Sequence, residues 1–154
     1  MTDPSAAFVP ADFVAPTGLD RPEFRLRALG PEHNESDFAA WISSFDHIHA
    51  TPGWKAEGWP REMTLEENRG DLIRHAADFA ARRGFTYTVL APDSDTVIGC
   101  VYIYPDKREP GASIQSWVRA ADAHLDRPLW QAVSHWVATD WPFTRVAYAA
   151  RPYR

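Results

Sequence analysis

The chain has 154 residues, 45% of them hydrophobic and 13% aromatic, and a formal charge of -5. That length suits one domain around one core, and the apolar share excludes wholesale disorder. The acidic balance excludes a nucleic-acid surface, and no apolar run reaches the length of a membrane span.

The single cysteine, Cys100, excludes an intrachain disulfide and a cysteine zinc site. Inside the apolar run Val97-Ile98-Gly99-Cys100-Val101-Tyr102 it reads as a small buried filler. Met1 to Pro10 lacks the basic start and apolar core of a secretory signal, so a cytoplasmic location is expected.

Residues 1–22 carry prolines and no steady periodicity, and are expected to form an extended arm packed on the domain (23–154) or on a second copy. Phe24 to Leu29 alternates apolar and polar residues, the pattern of a half-buried strand. Gly30-Pro31 stops that strand and opens a helix. Phe38, Trp41, Ile42, Phe45 and Ile48, spaced by threes and fours, predict one continuous helix face. Asp46-His47-Ile48-His49 puts Asp46 and His49 on one side of that helix but turns His47 away. No metal site is expected there.

A loop with Trp54 and Trp59 follows, and then Thr64-Leu65-Glu66-Glu67 has the form of a capping box. Leu65, Leu72, Ile73, Ala76, Phe79 and Ala80 predict a second helix face, ended at Gly84. Residues 85–91 and 96–104 form a hairpin across Pro92-Asp93-Ser94-Asp95, and residues 112–119 a third strand. Asp126 is the expected N-cap of a helix whose face is Leu129, Ala132, Val133, Trp136 and Val137. Residues 144–150 form a last strand. The fold class is α+β (mixed α/β), in the order β-α-α-β-β-β-α-β around a mixed sheet with helices on both faces.

In that order, the segments Phe24-Arg25-Leu26-Arg27, Thr86-Tyr87-Thr88-Val89-Leu90 paired with Val97-Ile98-Gly99-Cys100-Val101-Tyr102, and Ser116-Trp117-Val118-Arg119 before a helix resemble the GNAT superfamily of acyl-CoA N-acyltransferases. The resemblance covers residues 24–150. It implies that the strand ending near Val118 parts from its parallel neighbour, 144–150, so that the pantetheine arm of acetyl-CoA or another acyl-CoA lies in the gap. It further implies a cofactor site at Trp117, Val118, Arg119, His124, Leu125 and Arg127. The family's Arg or Gln and two glycines, whose amides cap the pyrophosphate, fall here at Ala123, His124 and Asp126, so the loop departs from the pattern. His124 and Arg127 are then the cations left for phosphate. The resemblance also implies a helix and closing hairpin after 144–150. Here only Arg151-Pro152-Tyr153-Arg154 follow, so the domain reads as C-terminally shortened, with a sheet edge that the arm or a partner copy could cover.

N-acyl transfer needs a base or water relay, an oxyanion donor and an acid for the thiolate. By analogy the oxyanion donor is the amide near Val118. The candidate catalytic residues are Gln115 acting through water, Glu67 and Tyr104, although Glu67 is also explained by its cap. Trp54, Trp59 and Tyr102 are candidate substrate residues, and each is equally readable as packing. The expected acceptor is a small-molecule or peptide amine, with no membrane partner and a possible homodimer. The rival readings are a catalytically silent GNAT-like module that binds a small molecule or a protein, and a binder of hydrophobic ligands through the Trp-rich loop.

Overall fold

The computed structural model describes residues 7–55 and 58–152. One six-stranded sheet runs in the order β1 (Gly18–Asp20), β2 (Arg25–Ala28), β3 (Phe85–Leu90), β4 (Val97–Pro105), β5 (Ala112–Val118), β6 (Val146–Tyr148). Neighbours are antiparallel except the parallel pair β5–β6. Helices α1 (Asn34–Ile42), α2 (Phe45–Ala50) and α3 (Leu65–Ala80) lie between β2 and β3, and α4 (Asp126–Asp140) joins β5 to β6. Every residue of β3 is buried, as expected of a strand covered on both faces. Among the described residues no helix is long and apolar enough to cross a membrane.

Two apolar clusters account for the layers. Leu129, Val133, Trp136 and Val137 of α4 pack with Leu26, Tyr87, Val101 and Ile103 on one face of the sheet. Trp41 of α1, Ile48 of α2 and Leu72 of α3 pack with Val97, Cys100 and Trp117 on the other. Burial pushes the Cys100 thiol well above its usual pKa, as suits a filler rather than a nucleophile.

The arm is part of this core. Val9 is 1% exposed, Phe8 stacks between Phe85 and Phe143, and the Arg82 guanidinium donates to the Phe13 and Pro10 carbonyls. β1 comes from the arm and pairs with β2, the sheet edge opposite β6. The expectation that the arm could cover the β6 edge is therefore corrected.

The helices differ from expectation in an instructive way. The predicted single helix breaks at Ser43-Ser44, where Ser44 leaves the helical region and turns its hydroxyl to the Ala120 amide (2.8 Å). Ile42, Leu65 and Ile73, expected inside, are 41–43% exposed. The inward stripes are Asn34, Asp37 and Trp41 on α1 and Asn68, Leu72, His75 and Phe79 on α3, which keep helical spacing but include polar residues. Asn68 is their hub. Its Oδ1 accepts from Trp41 Nε1 (3.1 Å), and its Nδ2 donates to Asn34 Oδ1 (2.8 Å) and Asp37 Oδ2 (3.1 Å). The Thr64–Glu67 capping box starts α3 as predicted. Asp126 is not an N-cap. It stands in the first turn of α4 and pairs with Arg151 instead.

Replacing the hub by an apolar side chain of similar size leaves three buried groups without a partner. Asn68→Leu is expected to lower the unfolding free energy by ~2–4 kcal/mol, read by urea denaturation at pH 7.5.

Candidate functional site

The last paired positions of β5 and β6 are Ile114 and Tyr148, yet β5 runs on to Val118. Beyond Ile114 the two strands part. The amide of Ala112 donates to Arg145 on the β6 side, and strand polarity repeats every two residues. The amides and carbonyls of Ser116 and Val118 therefore face the fork, while Arg119 N–H turns back to Ile98 (2.9 Å).

The chain itself occupies part of this fork. Arg151, 3% exposed, reaches in from the segment after β6. Its Nη2 donates to the Ser116 carbonyl (2.8 Å), its Nε to Asp126 Oδ2 (2.8 Å) and its Nη1 to the Ala149 carbonyl (2.7 Å). The Tyr148 ring lies 5.6 Å from the guanidinium carbon, and the Tyr148 hydroxyl meets Ser116 Oγ. The Trp54 indole donates to the same Ser116 carbonyl (2.8 Å), so both lone pairs of that oxygen are engaged.

The loop after the fork is a 3-10 turn, Ala120–Leu125, running into α4. Its amides turn inward: Ala120 bonds Ser44 Oγ and Asp122 bonds the Arg119 carbonyl. The Arg119 guanidinium is paired with Asp122. His124 is exposed, Leu125 packs into the α4 core, and Arg127 lies over the Trp130 ring at 5.9 Å. Trp117 and Val118 are buried, with the Trp117 indole donating to the Tyr102 hydroxyl (3.0 Å). Of the six expected cofactor residues, Trp117, Val118 and Arg119 thus border the fork or its mouth, and the other three follow it.

On the α1–α3 face of the sheet, next to the fork, lies a cavity of about 1310 Å³. It gathers five of the expected catalytic and substrate residues: Trp54, Trp59, Tyr102, Tyr104 and Gln115. Gln115 Nε2 donates to the Gly53 carbonyl (2.9 Å), which fixes its amide over the cavity floor. Glu67 does not line the cavity. Its carboxylate accepts from the Thr64 amide (2.9 Å), and that bond lowers its pKa.

Three residues of the site were not expected: His75, Asp37 and Arg151. The Tyr104 hydroxyl donates to Asp78 Oδ2 (2.9 Å) and meets His75 Nδ1 at 2.8 Å, where Thr86 Oγ1 also approaches (3.2 Å). With its proton on Asp78, the Tyr104 oxygen accepts from His75 Nδ1–H, so the His75 lone pair is on Nε2. Burial lowers the His75 pKa and keeps the ring neutral, while burial and the Asp78 bond raise that of Tyr104. Gly84 sits under Tyr104, whose ring carbon Cε2 would overlap any added Cβ, so the ring's seat needs glycine. Asp37 is 4% exposed. Burial raises its pKa to about 6, against the Asn68 hydrogen bond.

The sequence matches no protein-family model and no curated protein. Solved structures do match. A Vibrio cholerae protein assigned as a ribosomal-protein-serine acetyltransferase aligns with a TM-score of 0.67 at 12% identity, over 89% of this chain and 75% of its own. RimL, a ribosomal L7/L12 α-N-protein acetyltransferase solved with coenzyme A, aligns at 0.61 and 14%, over 81% and 68%. The microcin C7 self-immunity acetyltransferase MccE, solved with acetyl-CoA and AMP, aligns at 0.59 and 12%, over 80% and 66%. The chain has the GNAT fold.

Asp37 has a consequence for stability that pH reveals. The folded chain holds its proton up to about pH 6, whereas the ordinary carboxylate value is 3.8. Between those values the folded state binds more protons, so stability present at low pH is lost as pH rises through about 6. The penalty at neutral pH is about 3 kcal/mol. Asp37→Asn is expected to stabilise by ~1–3 kcal/mol at pH 7.5, with the gain gone near pH 4, measured by denaturant unfolding at both.

Proposed function

We propose that this chain, built on the GNAT fold, is an N-acyltransferase that moves an acyl group, acetyl first, from an acyl-CoA to an amine in the cavity beside the fork. The observation that carries the reading is the register of β5 and β6, with pairing that ends at Ile114–Tyr148 and a strand that continues to Val118. A strand edge left open in this way suits an extended, amide-bearing arm, which pairs with it as an added strand does. Ile114, Gln115 and Tyr148 border both the fork and the cavity, so a thioester at the end of that arm lies within reach of an acceptor. The coenzyme A in RimL and the acetyl-CoA in MccE support the reading at the level of the fold.

The fit to CoA differs along its length. The β5 edge fits the arm. The loop does not fit the diphosphate as it stands, because the amides of Arg119, Ala120 and Asp122 are bonded inward and the Asp126 carboxylate opens α4. Arg151 must also leave the Ser116 carbonyl before an arm can pair there.

An acyl-CoA supplies the activated acyl carbon, and the chain's own task is to hold the amine and take its proton. Neutral His75 is the base of this reading, oriented by the hydrogen bonds through Tyr104 to Asp78. Gln115 positions the acceptor or its water, and Trp54, Trp59 and Tyr102 wall the pocket. A second reading, a module with a closed fork that binds a ligand without acyl transfer, is favoured by the buried Arg151–Asp126–Ser116 contacts.

Melting curves with millimolar acetyl-CoA separate the two. Donor binding is expected to raise Tm by several degrees, and by more in Arg151→Met, where the fork is freed. No shift in either protein overturns the transferase reading and leaves the module. If the shift appears, His75→Ala is expected to lower the acylation rate by 10²-fold or more with donor binding unchanged.

A further inference from the structure

Asp37 stands in the cavity wall as a nearly buried carboxylate, 4% exposed, whose burial opposes its charged form. Asn68 Nδ2 holds its Oδ2, but Oδ1 has no hydrogen-bond partner and the residue forms no ion pair among the described residues. The charge nearest in effect, Asp71 on α3, repels it. A nearly buried carboxylate without a counter-ion is costly as an anion, and a bound cation would offset that cost.

The neighbouring walls narrow what that something is. Trp54 and Trp59 lie with ring centroids 5.4 Å apart, and Trp54 and Tyr102 5.7 Å apart, all three lining the same cavity as Asp37. Two of their polar edges are engaged inward, the Trp54 indole on the Ser116 carbonyl and the Tyr102 hydroxyl on the Trp117 indole. What remains for a guest is ring face, which attracts a cation through its quadrupole. A hydrated metal ion is a poor match, since no group of three potential ligands occurs among the described residues.

We propose that this cavity binds an organic ammonium on an apolar stem, with the Asp37 carboxylate as its counter-charge and the faces of Trp54, Trp59 and Tyr102 as its walls. Five cations line the same cavity, Arg61, Arg74, Lys107, Arg108 and Arg145, but none is paired with Asp37 or counts among the charges that shift it; Arg74 is paired with Asp71, and Arg145 with Asp106 and Glu109. As a description of the acyl acceptor the proposal rests on the transferase reading. As a description of binding it rests on the cavity alone.

Calorimetry on the full chain without acyl-CoA tests it, with phenethylammonium, its neutral isostere 2-phenylethanol, phenylacetate and magnesium chloride as probes at pH 7.5. Phenethylammonium is expected to bind at submillimolar concentration, 2-phenylethanol at least tenfold more weakly, and phenylacetate and magnesium not measurably. Asp37→Asn, which folds at least as stably, is expected to lose tenfold or more in phenethylammonium affinity, and Trp59→Leu to weaken it as well. Equal binding of the alcohol, preferred binding of phenylacetate or magnesium, or an unchanged Asp37→Asn protein would each overturn the proposal. An acetyl-CoA shift without ammonium binding overturns this site alone, and ammonium binding without a shift overturns the transferase reading alone.

Discussion

The guanidinium of Arg151 is the contact on which the site's architecture turns. It joins three parts that sequence keeps far apart: the middle of β5 at Ser116, the first turn of α4 at Asp126 and the segment leaving β6 at Ala149. Two strands that separate leave backbone groups without partners in a place water cannot freely reach, and such groups must be satisfied. The Arg151 guanidinium, all donors, meets that need at the Ser116 and Ala149 carbonyls, and the pairing with Asp126 neutralises its charge. The fork is therefore held by the chain's own contacts.

The same economy holds on the other side of β5. Trp54 anchors the loop before α3 by giving its indole proton to the very carbonyl that Arg151 holds, so the aromatic wall of the cavity and the closure of the fork share one oxygen. Moving Arg151 changes the environment of Trp54. The fork and the cavity are joined in this way through Ser116, by a direct hydrogen-bonded path. Asp37 completes the picture from α1, as a charge that lowers stability at neutral pH and lies where a cationic guest would repay it.

Some of the site was legible before any coordinates. Trp54, Trp59, Tyr102, Tyr104 and Gln115 converge because the loop before α3 and the alternation along β4 and β5 bring them to one face. Glu67 was already explained by its cap, and there it stays. His75 and Asp37 were hidden by the rule that reads periodicity from apolar residues alone. On α1 and α3 the inward stripe joins the expected Trp41, Leu72 and Phe79 to Asn34, Asp37, Asn68 and His75, while Ile42, Leu65 and Ile73 face out, so the apolar pattern traced only part of it. Ser43-Ser44, unremarkable in a helical run, breaks it because Ser44 bonds an amide 76 residues away.

The family resemblance implied the parallel partnership that ends the sheet, while the sequence taken alone determined the class of fold and the order of its elements from Phe24 onward. Those rest on local signals, namely alternation, capping residues and turns, whose physics acts within a few residues. Only the tertiary structure decided that the arm's strand lies beside β2, that Asp126 pairs rather than caps, and that Arg151 sits in the fork. Each of these is a contact between segments distant in the chain. A charged side chain's partner there is set by which backbone groups the packed sheet leaves unsatisfied, and no local pattern records that.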